Sequence, residues 1–578
     1  MRAAVSVRLR AACWVMLLVL APAALAKEPF GGLKPPGTVI SSANHHATDA
    51  GHEVIALGGN AFDAAVAVSA ALSVTEPVSS GLGGGGFFLL HDARSGRDVF
   101  VDARETAPAS ATPAKYLDGA GNLDNDKAQN GPTSAGIPGL PAGLVHVAKK
   151  YGRLPLSVTL APAIRLARDG FEVYPRLETA YAGRRAVMER YKGSRELFLA
   201  DGDPPQAGEV LKQPDLARTL ERLAAGGHDG FYGGETAQLM LTDVARYGGN
   251  WTAADLSSYQ VREREPLHVR YRDFDLVTAP PPSSGGVVLA EILQVLEGWD
   301  LARLDEAQRA HYVVEAMRRA YRDRGLYLGD PDFVQMPIAR LTSDDYAAGL
   351  RASILPDRAT PSAMLPAQDA QPGGSGNTTH FSIIDGEGNL VGVTQTVNLG
   401  YGSGMVVDGA GFLLNDEMDD FALKPGTPNA FGVIGFDANA VAPGKRMLSS
   451  MAPTFMIGRD KVAVVGAKGG SRIITMVLLG LLGIEQGMDP AQIAAMPRYH
   501  HQYLPDRIFA EPGAFSPEAA ARLQAMGYTI DQAAAPWTSL LHAVDWDLKS
   551  NTLRGGADPR NPPGSATVVL KSAVGAKR

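Results

Sequence analysis

The 578-residue sequence predicts an α+β fold, with helices concentrated up to about position 351 and hairpin structure beginning near position 379. Three observations carry this expectation. Apolar residues recur at spacings of three and four over 156–169, 216–225, 286–297 and 305–324, as amphipathic helices require. Two β-rich runs, 379–385 and 390–397, flank Gly386-Glu387-Gly388-Asn389, which reads as a hairpin turn. The composition, 45% hydrophobic and 20% charged, is that of a chain that buries a sizeable core.

Taken in order, the chain opens with Arg2, Arg8 and Arg10, no acid, an apolar run from Ala11 to Leu20, and the A-x-A pattern Ala24-Leu25-Ala26. That is the grammar of a secretory signal peptide, expected to occupy 1–26, and the run is too short to anchor the protein in a bilayer. Its removal takes the net charge from −7 to −10, because three arginines leave and no acid does, and it removes Cys13, the only cysteine. The mature protein is expected to be exported, to a periplasm or beyond. It has no thiolate nucleophile and no disulfide.

The segment from Lys27 to about Arg351 reads as mostly helical. Gly83 to Gly86 lacks the Lys-Ser/Thr of a phosphate loop, so close backbone packing is expected there. Pro356 to Gly376 shifts to Pro, Ala, Gln, Ser and Gly and reads as a loop and a candidate processing site. After the hairpin, short strands are expected at 411–414, 454–457 and 461–465. Gly469-Gly470 then precedes a buried apolar helix, and Ser516-Pro517 caps another. Length suggests two to four domains, yet no second linker is visible, so the two halves are expected to share one core.

Several functions are excluded at this level. The negative charge gives no basis for nucleic-acid binding. His52-Glu53 lacks a second histidine four residues on, and the adjacent pairs His45-His46 and His500-His501 point to opposite faces if they lie on strands, so no metal site is assigned.

The informative stretch is Asn377-Thr378-Thr379-His380-Phe381-Ser382, where the loop meets a strand. A hydroxyl at a chain start has its own α-amine, with a pKa near 7.7, to accept its proton in place of a histidine. Further motifs accompany it: Val101-Asp102-Ala103-Arg104-Glu105-Thr106-Ala107-Pro108, Thr396 with Asn398, Asn415-Asp416-Glu417-Met418-Asp419-Asp420-Phe421, Met447-Leu448-Ser449-Ser450-Met451-Ala452-Pro453-Thr454 and Gly466-Ala467-Lys468-Gly469-Gly470-Ser471-Arg472. With Asn60 to Ala67, Glu76 to Phe87, Tyr327 to Phe333 and Asp558-Pro559-Arg560, they resemble the γ-glutamyltransferase (γ-glutamyl transpeptidase) family over nearly the whole mature chain.

The resemblance implies a four-layered αββα sandwich of the N-terminal-nucleophile hydrolase type, made as a precursor that cuts itself between Asn377 and Thr378. A large subunit, 27–377, and a small one, 378–578, would remain together as a heterodimer. By the same resemblance Thr378 is the nucleophile, Thr396 its hydrogen-bond partner, and Gly469 and Gly470 the oxyanion hole. Two glycines at a helix start suit that last role independently, since they let backbone donors approach an anion. Arg104, Ser449 and Ser450 would hold the α-carboxylate of a γ-glutamyl donor such as glutathione, and Asn398, Glu417 and Asp420 its α-ammonium. The acceptor would be water, an amino acid or a peptide, and no cofactor is implied.

Two departures stand out. Glu417 replaces the glutamine of some relatives, and Phe431, in the 424–435 segment that resembles a lid, stands where a tyrosine is common and lacks its hydroxyl. Two rival expectations remain: a glutaryl acylase acting on cephalosporins, whose acyl group lacks the α-ammonium, and a processed but catalytically silent binding protein.

Overall fold

The structure is a computed structural model that describes residues 29–199, 202–365 and 377–571. The expected signal peptide lies outside them. Two antiparallel sheets stack at the centre. The first has seven strands in the order Ser565–Leu570, Gly37–Ser42, Thr379–Ile384, Leu390–Thr396, Gly85–Asp92, Arg97–Ala103 and Arg262–Arg264. The second has six, ordered Thr552–Ala557, Leu541–Asp547, Lys461–Ala467, Thr454–Ile457, Phe274–Thr278 and Leu267–Tyr271.

Side-chain alternation builds the layers. Along Gly85–Asp92, Phe88 and Leu90 point into a core shared with the helices His45–Ala56 and Ala61–Thr75, whereas Phe87 and Leu89 point between the sheets. The inter-sheet core continues through Phe455 and Val464 to a second helical layer, Gly285–Leu296, Glu306–Tyr327 and Arg472–Glu485. This is the expected αββα sandwich. Strands from before and after position 377 are interleaved within the first sheet, Gly37–Ser42 lying between Ser565–Leu570 and Thr379–Ile384, so the two halves share one core, as the missing second linker suggested.

Ala61–Thr75 is buried along its whole length, and small side chains let it sit between the sheet and outer helices. Asn60 and Asp63 close its start as a reciprocal capping box. Arg472–Glu485 is likewise buried over Ile473–Ile484, as its apolar run indicated. Among the described residues no helix is long and apolar enough to cross a membrane.

Three expectations need correction. The stretch 156–169 is two helices, Leu156–Thr159 and Ala161–Asp169, because Pro162 has no N–H for a continuous ladder. The expected strand at 411–414 forms only single bridges, Val406 with Leu413 and Gly83 with Leu414, beside Gly411 at φ +76°. The first 351 residues also contain strands of both central sheets, among them Gly85–Asp92 and Phe274–Thr278. Gly37–Ser42 and Gly85–Asp92 are buried on both faces and carry no two-residue exposure period to reveal them.

Candidate active site

The hairpin sets the geometry. Thr379–Ile384 and Leu390–Thr396 pair in register from Gln395 opposite Thr379 to Leu390 opposite Ile384, around a turn where Asp385 Oδ1 accepts the N–H groups of Glu387 and Asn389. Thr378, one residue before the first strand, is therefore brought to Thr396, the last residue of the second. Thr378 Oγ1 donates to Thr396 Oγ1 at 3.5 Å. Thr396 Oγ1 in turn donates to the carbonyl of Asn377 at 3.1 Å and accepts the N–H of Asn398 at 2.8 Å. The expected cleavage peptide is thus buried against the hydroxyl expected to serve it, with Thr378 only 5% exposed.

Asn398 has φ +77°, a left-handed conformation that asparagine tolerates better than most residues. Its Nδ2 donates to Asp416 O, which leaves Oδ1 as an acceptor. The glycine run explains how these strands close in. A Cβ on Gly84 would lie 2.0 Å from Thr396 O, and one on Gly83 would lie 2.0 Å from Leu413 O. His380 bonds Thr394 and Ser382 within the core, and burial holds it neutral, so it is not a base for Thr378.

Sequence reading missed the support behind the Asn377 side chain. Arg176, on the helix Pro175–Met188, donates to Asn377 Oδ1 at 3.0 Å and lies 3.5 Å from Glu76 Oε2, while Tyr174 donates its hydroxyl to Glu76. Lys468 is fully enclosed, bonded to Ser79 Oγ at 3.1 Å and 3.6 Å from Glu76. Burial, reinforced by Arg176, pushes its pKa down to about 7.

Gly469 and Gly470 turn the chain from the strand Lys461–Ala467 into the helix Arg472–Glu485, with φ +139° and +59°. A Cβ would lie 2.4 Å from Ser539 Oγ at Gly469 and 3.0 Å from the Phe431 ring at Gly470. Gly470 lines the same pocket as Thr378, whereas Gly469 does not, and among the described residues neither N–H has a protein acceptor.

Arg104, Asn398, Glu417, Asp420, Ser449, Ser450 and Gly470 all line one narrow pocket with Thr378 and Thr396. Arg104 is buried, with Nη1 2.6 Å from Glu417 Oε2, Nη2 2.5 Å from Asp420 Oδ2 and Nε donating to Met447 O. The two expected half-sites are therefore tied together: the cation of one is ion-paired to the acids of the other. Among the described residues Glu417 Oε1 has no hydrogen-bond partner. Burial works against the charge of Arg104, but Glu417, Glu105 and Asp420 outweigh it. Burial also raises the pKa values of Glu417 and Asp420; Arg104 opposes this, but one guanidinium does not compensate both carboxylates. Burial pushes Glu105 up to about 7 despite the same guanidinium beside it.

The 424–435 segment folds over this pocket. Asn429 Nδ2 donates to Asp420 Oδ1, the Ala430 N–H to Asp419, and Phe431 O accepts from Gln502. Phe431 is buried against Gly470, so its ring packs without needing the missing hydroxyl. The His500 and His501 rings are engaged within the core, by Thr475 and Gln502 and by Asp506 and Tyr503, and burial holds both neutral.

Thr378 stands at the head of a central antiparallel strand in a four-layered αββα sandwich, the fold of the N-terminal-nucleophile hydrolases. Residues 47–568 match the family model for γ-glutamyltranspeptidase, and the chain belongs to that family and is an enzyme. It is 44% identical over 499 residues to the glutathione hydrolase proenzyme of Pseudomonas sp. (strain A14), covering 85% of this chain and 86% of that one. It is 39% identical to the glutathione hydrolase proenzyme of Escherichia coli (strain K12) over 93% and 92% of the two chains. Among solved structures, the cephalosporin acylase from Bacillus halodurans superposes with a TM-score of 0.81 at 28% identity, over 93% and 96% of the chains.

Proposed function

We propose that this chain is a self-cleaving glutathione hydrolase and γ-glutamyltransferase with Thr378 as its nucleophile. The observation that carries the reading is the Asn377–Thr378 peptide held against Thr396 at the edge of a pocket with acids and arginines suited to a zwitterion. In maturation, Thr378 Oγ attacks the Asn377 carbonyl carbon, the peptide C–N bond breaks, and the nitrogen takes a proton to become an α-amine. Thr396 polarises that carbonyl by donating to its oxygen and accepts from Thr378 Oγ. Water then hydrolyses the ester, leaving a large subunit that ends at Asn377 and a small one that begins at Thr378.

In turnover, the Thr378 amine accepts the Oγ proton as Oγ attacks the γ-glutamyl amide carbon, and Gly469 and Gly470 N–H groups donate to the developing oxyanion. The leaving amine takes the proton. Water or an acceptor amine then resolves the γ-glutamyl ester. Arg104, Ser449 and Ser450 bind the donor α-carboxylate, while Asn398 Oδ1, Glu417 Oε1 and Asp420 accept from its ammonium. With the 1–26 signal, the enzyme is exported and works as a heterodimer of its two fragments.

A glutaryl acylase is the second reading, favoured by the likeness to a cephalosporin acylase. The unpartnered acceptor Glu417 Oε1, buried beside Asn398 and Asp420, argues for a substrate that brings a cation. Denaturing electrophoresis with N-terminal sequencing, followed by assays on γ-glutamyl and glutaryl anilides, tests both steps. A small chain starting at Thr378 with a clear γ-glutamyl preference is expected. An uncut active chain, or a glutaryl preference, refutes the proposal.

A further inference from the structure

The pocket holds a second arginine that the site described above leaves without a role. Arg324, in the last turn of the helix Glu306–Tyr327, is buried and lines the same pocket as Thr378 and Arg104. Its Nε donates to Ser284 Oγ at 2.9 Å and its Nη2 to Ser450 Oγ at 3.1 Å. Among the described residues no carboxylate lies within ion-pair distance of it, and its Nη1 has no acceptor.

The contrast with Arg104 decides how the charges are used. Arg104 faces three carboxylates, Glu417, Glu105 and Asp420, and gives its Nε to Met447 O, so part of its donor fork is already engaged. An arginine does not lose its proton in a protein, and a buried charge without a counter-ion is costly unless one is supplied. Two acids and two cations line the cavity, and both acids pair directly with Arg104. Arg324 is the lining cation whose guanidinium has no directly paired carboxylate. Its contacts also orient the loop carrying the serines. Ser284 Oγ donates to Ser449 O at 2.6 Å while accepting from Arg324, and Ser450 Oγ accepts from Arg324, so the hydroxyl proton of Ser450 is available to an anion in the pocket.

We propose that Arg324 is a specificity-determining residue that supplies a second positive charge, beside Arg104, for the donor's α-carboxylate and turns the Ser450 hydroxyl toward it. The inference rests on the reading of this pocket as a γ-glutamyl site and adds the group that balances the carboxylate. Arg324 then joins Arg104, Ser449 and Ser450 at the carboxylate end, where its Nη2 already contacts Ser450 Oγ.

The test compares three anilide donors on the matured enzyme: γ-glutamyl, 4-aminobutyryl, which lacks only the α-carboxylate, and glutaryl, which lacks only the α-ammonium. For Arg324→Gln, kcat/KM on the γ-glutamyl donor should fall about 10- to 100-fold, mainly through KM, as expected for losing a charged hydrogen-bond partner. The glutaryl donor should lose by a similar factor. The 4-aminobutyryl donor should change less than about threefold, and self-cleavage should proceed at the wild-type rate because no donor carboxylate takes part in it. Arg324→Lys, which keeps the charge and loses the fork, should recover part of the loss; if Arg324→Gln fails to mature, this variant carries the test by raising KM only for the carboxylate-bearing donors.

Equal losses on all three donors, or a loss confined to kcat, would show that Arg324 acts through folding and overturn the inference while leaving the γ-glutamyl reading intact. A wild-type enzyme indifferent between the γ-glutamyl and 4-aminobutyryl donors would overturn both.

Discussion

Replacing Asp420 with asparagine removes one negative charge from the ammonium end of the pocket and leaves the shape almost unchanged. The side chain is 13% exposed and its Oδ2 lies 2.5 Å from Arg104 Nη2. Two unit charges about 4 Å apart in such a partly desolvated place interact by about 4 kcal/mol at an effective dielectric of 20. Asparagine keeps an oxygen dipole and recovers part of this, so a net loss of about 2–3 kcal/mol is expected, or about 30- to 150-fold in kcat/KM for a γ-glutamyl anilide. A glutaryl anilide brings no cation, and Asp420→Asn also frees Arg104 Nη2, so its kcat/KM should hold or rise. The pH dependence follows with a definite sign. Burial raises the pKa values of Glu417 and Asp420, the ammonium needs their ionised forms, and wild-type kcat/KM for the γ-glutamyl donor therefore falls as pH drops through those raised values. Asp420 is one of the charges that raise Glu417, so in Asp420→Asn the fall should move to lower pH. The assay is a pair of pH profiles, one per donor, on both proteins. Equal losses for the two donors would refute the reasoning, because a group that acts only through folding does not distinguish them.

Thr378→Ala should run as a single uncut chain on a denaturing gel, since the missing hydroxyl is the one that attacks Asn377; a normally cut variant would remove Thr378 from the mechanism. Arg176→Ala should slow self-cleavage by about 10- to 100-fold, followed as precursor decay, with little change in KM once matured, because its bond is to the Asn377 side chain and not to the donor pocket. Arg104→Ala would leave Glu417 and Asp420 as buried acids without their cation, a loss of about 3–5 kcal/mol of stability measurable by denaturant unfolding. Arg104→Lys keeps the charge without the two-pronged fork and should be less unstable than Arg104→Ala while still raising KM for the γ-glutamyl donor.

The residues alone determined what depends on local spacing. The hairpin was legible because β-rich runs flank a Gly-Glu-Gly-Asn turn, and that hairpin by itself delivers Thr378 to Thr396. The Gly83–Gly86 run announced a close backbone approach, and Ser516 caps the helix at Pro517 as its side chain allows. Motif order was enough to gather Arg104, Asn398, Glu417, Asp420, Ser449, Ser450 and Gly470 as one set. Tertiary structure decided how that set is wired. Which carboxylates Arg104 pairs with depends on a strand end at position 104 meeting a turn at 417–420, more than 300 residues away, and pairing over such separations leaves no period or cap to read. Arg176 and Arg324 look like ordinary arginines on helices, and only the packing of Pro175–Met188 against Asn377 and of Glu306–Tyr327 against Ser450 turns them inward. A related limit hid Gly37–Ser42 and Gly85–Asp92: once both faces of a strand are buried, the alternation that marks it disappears, because the physical cause of alternation is one face in water.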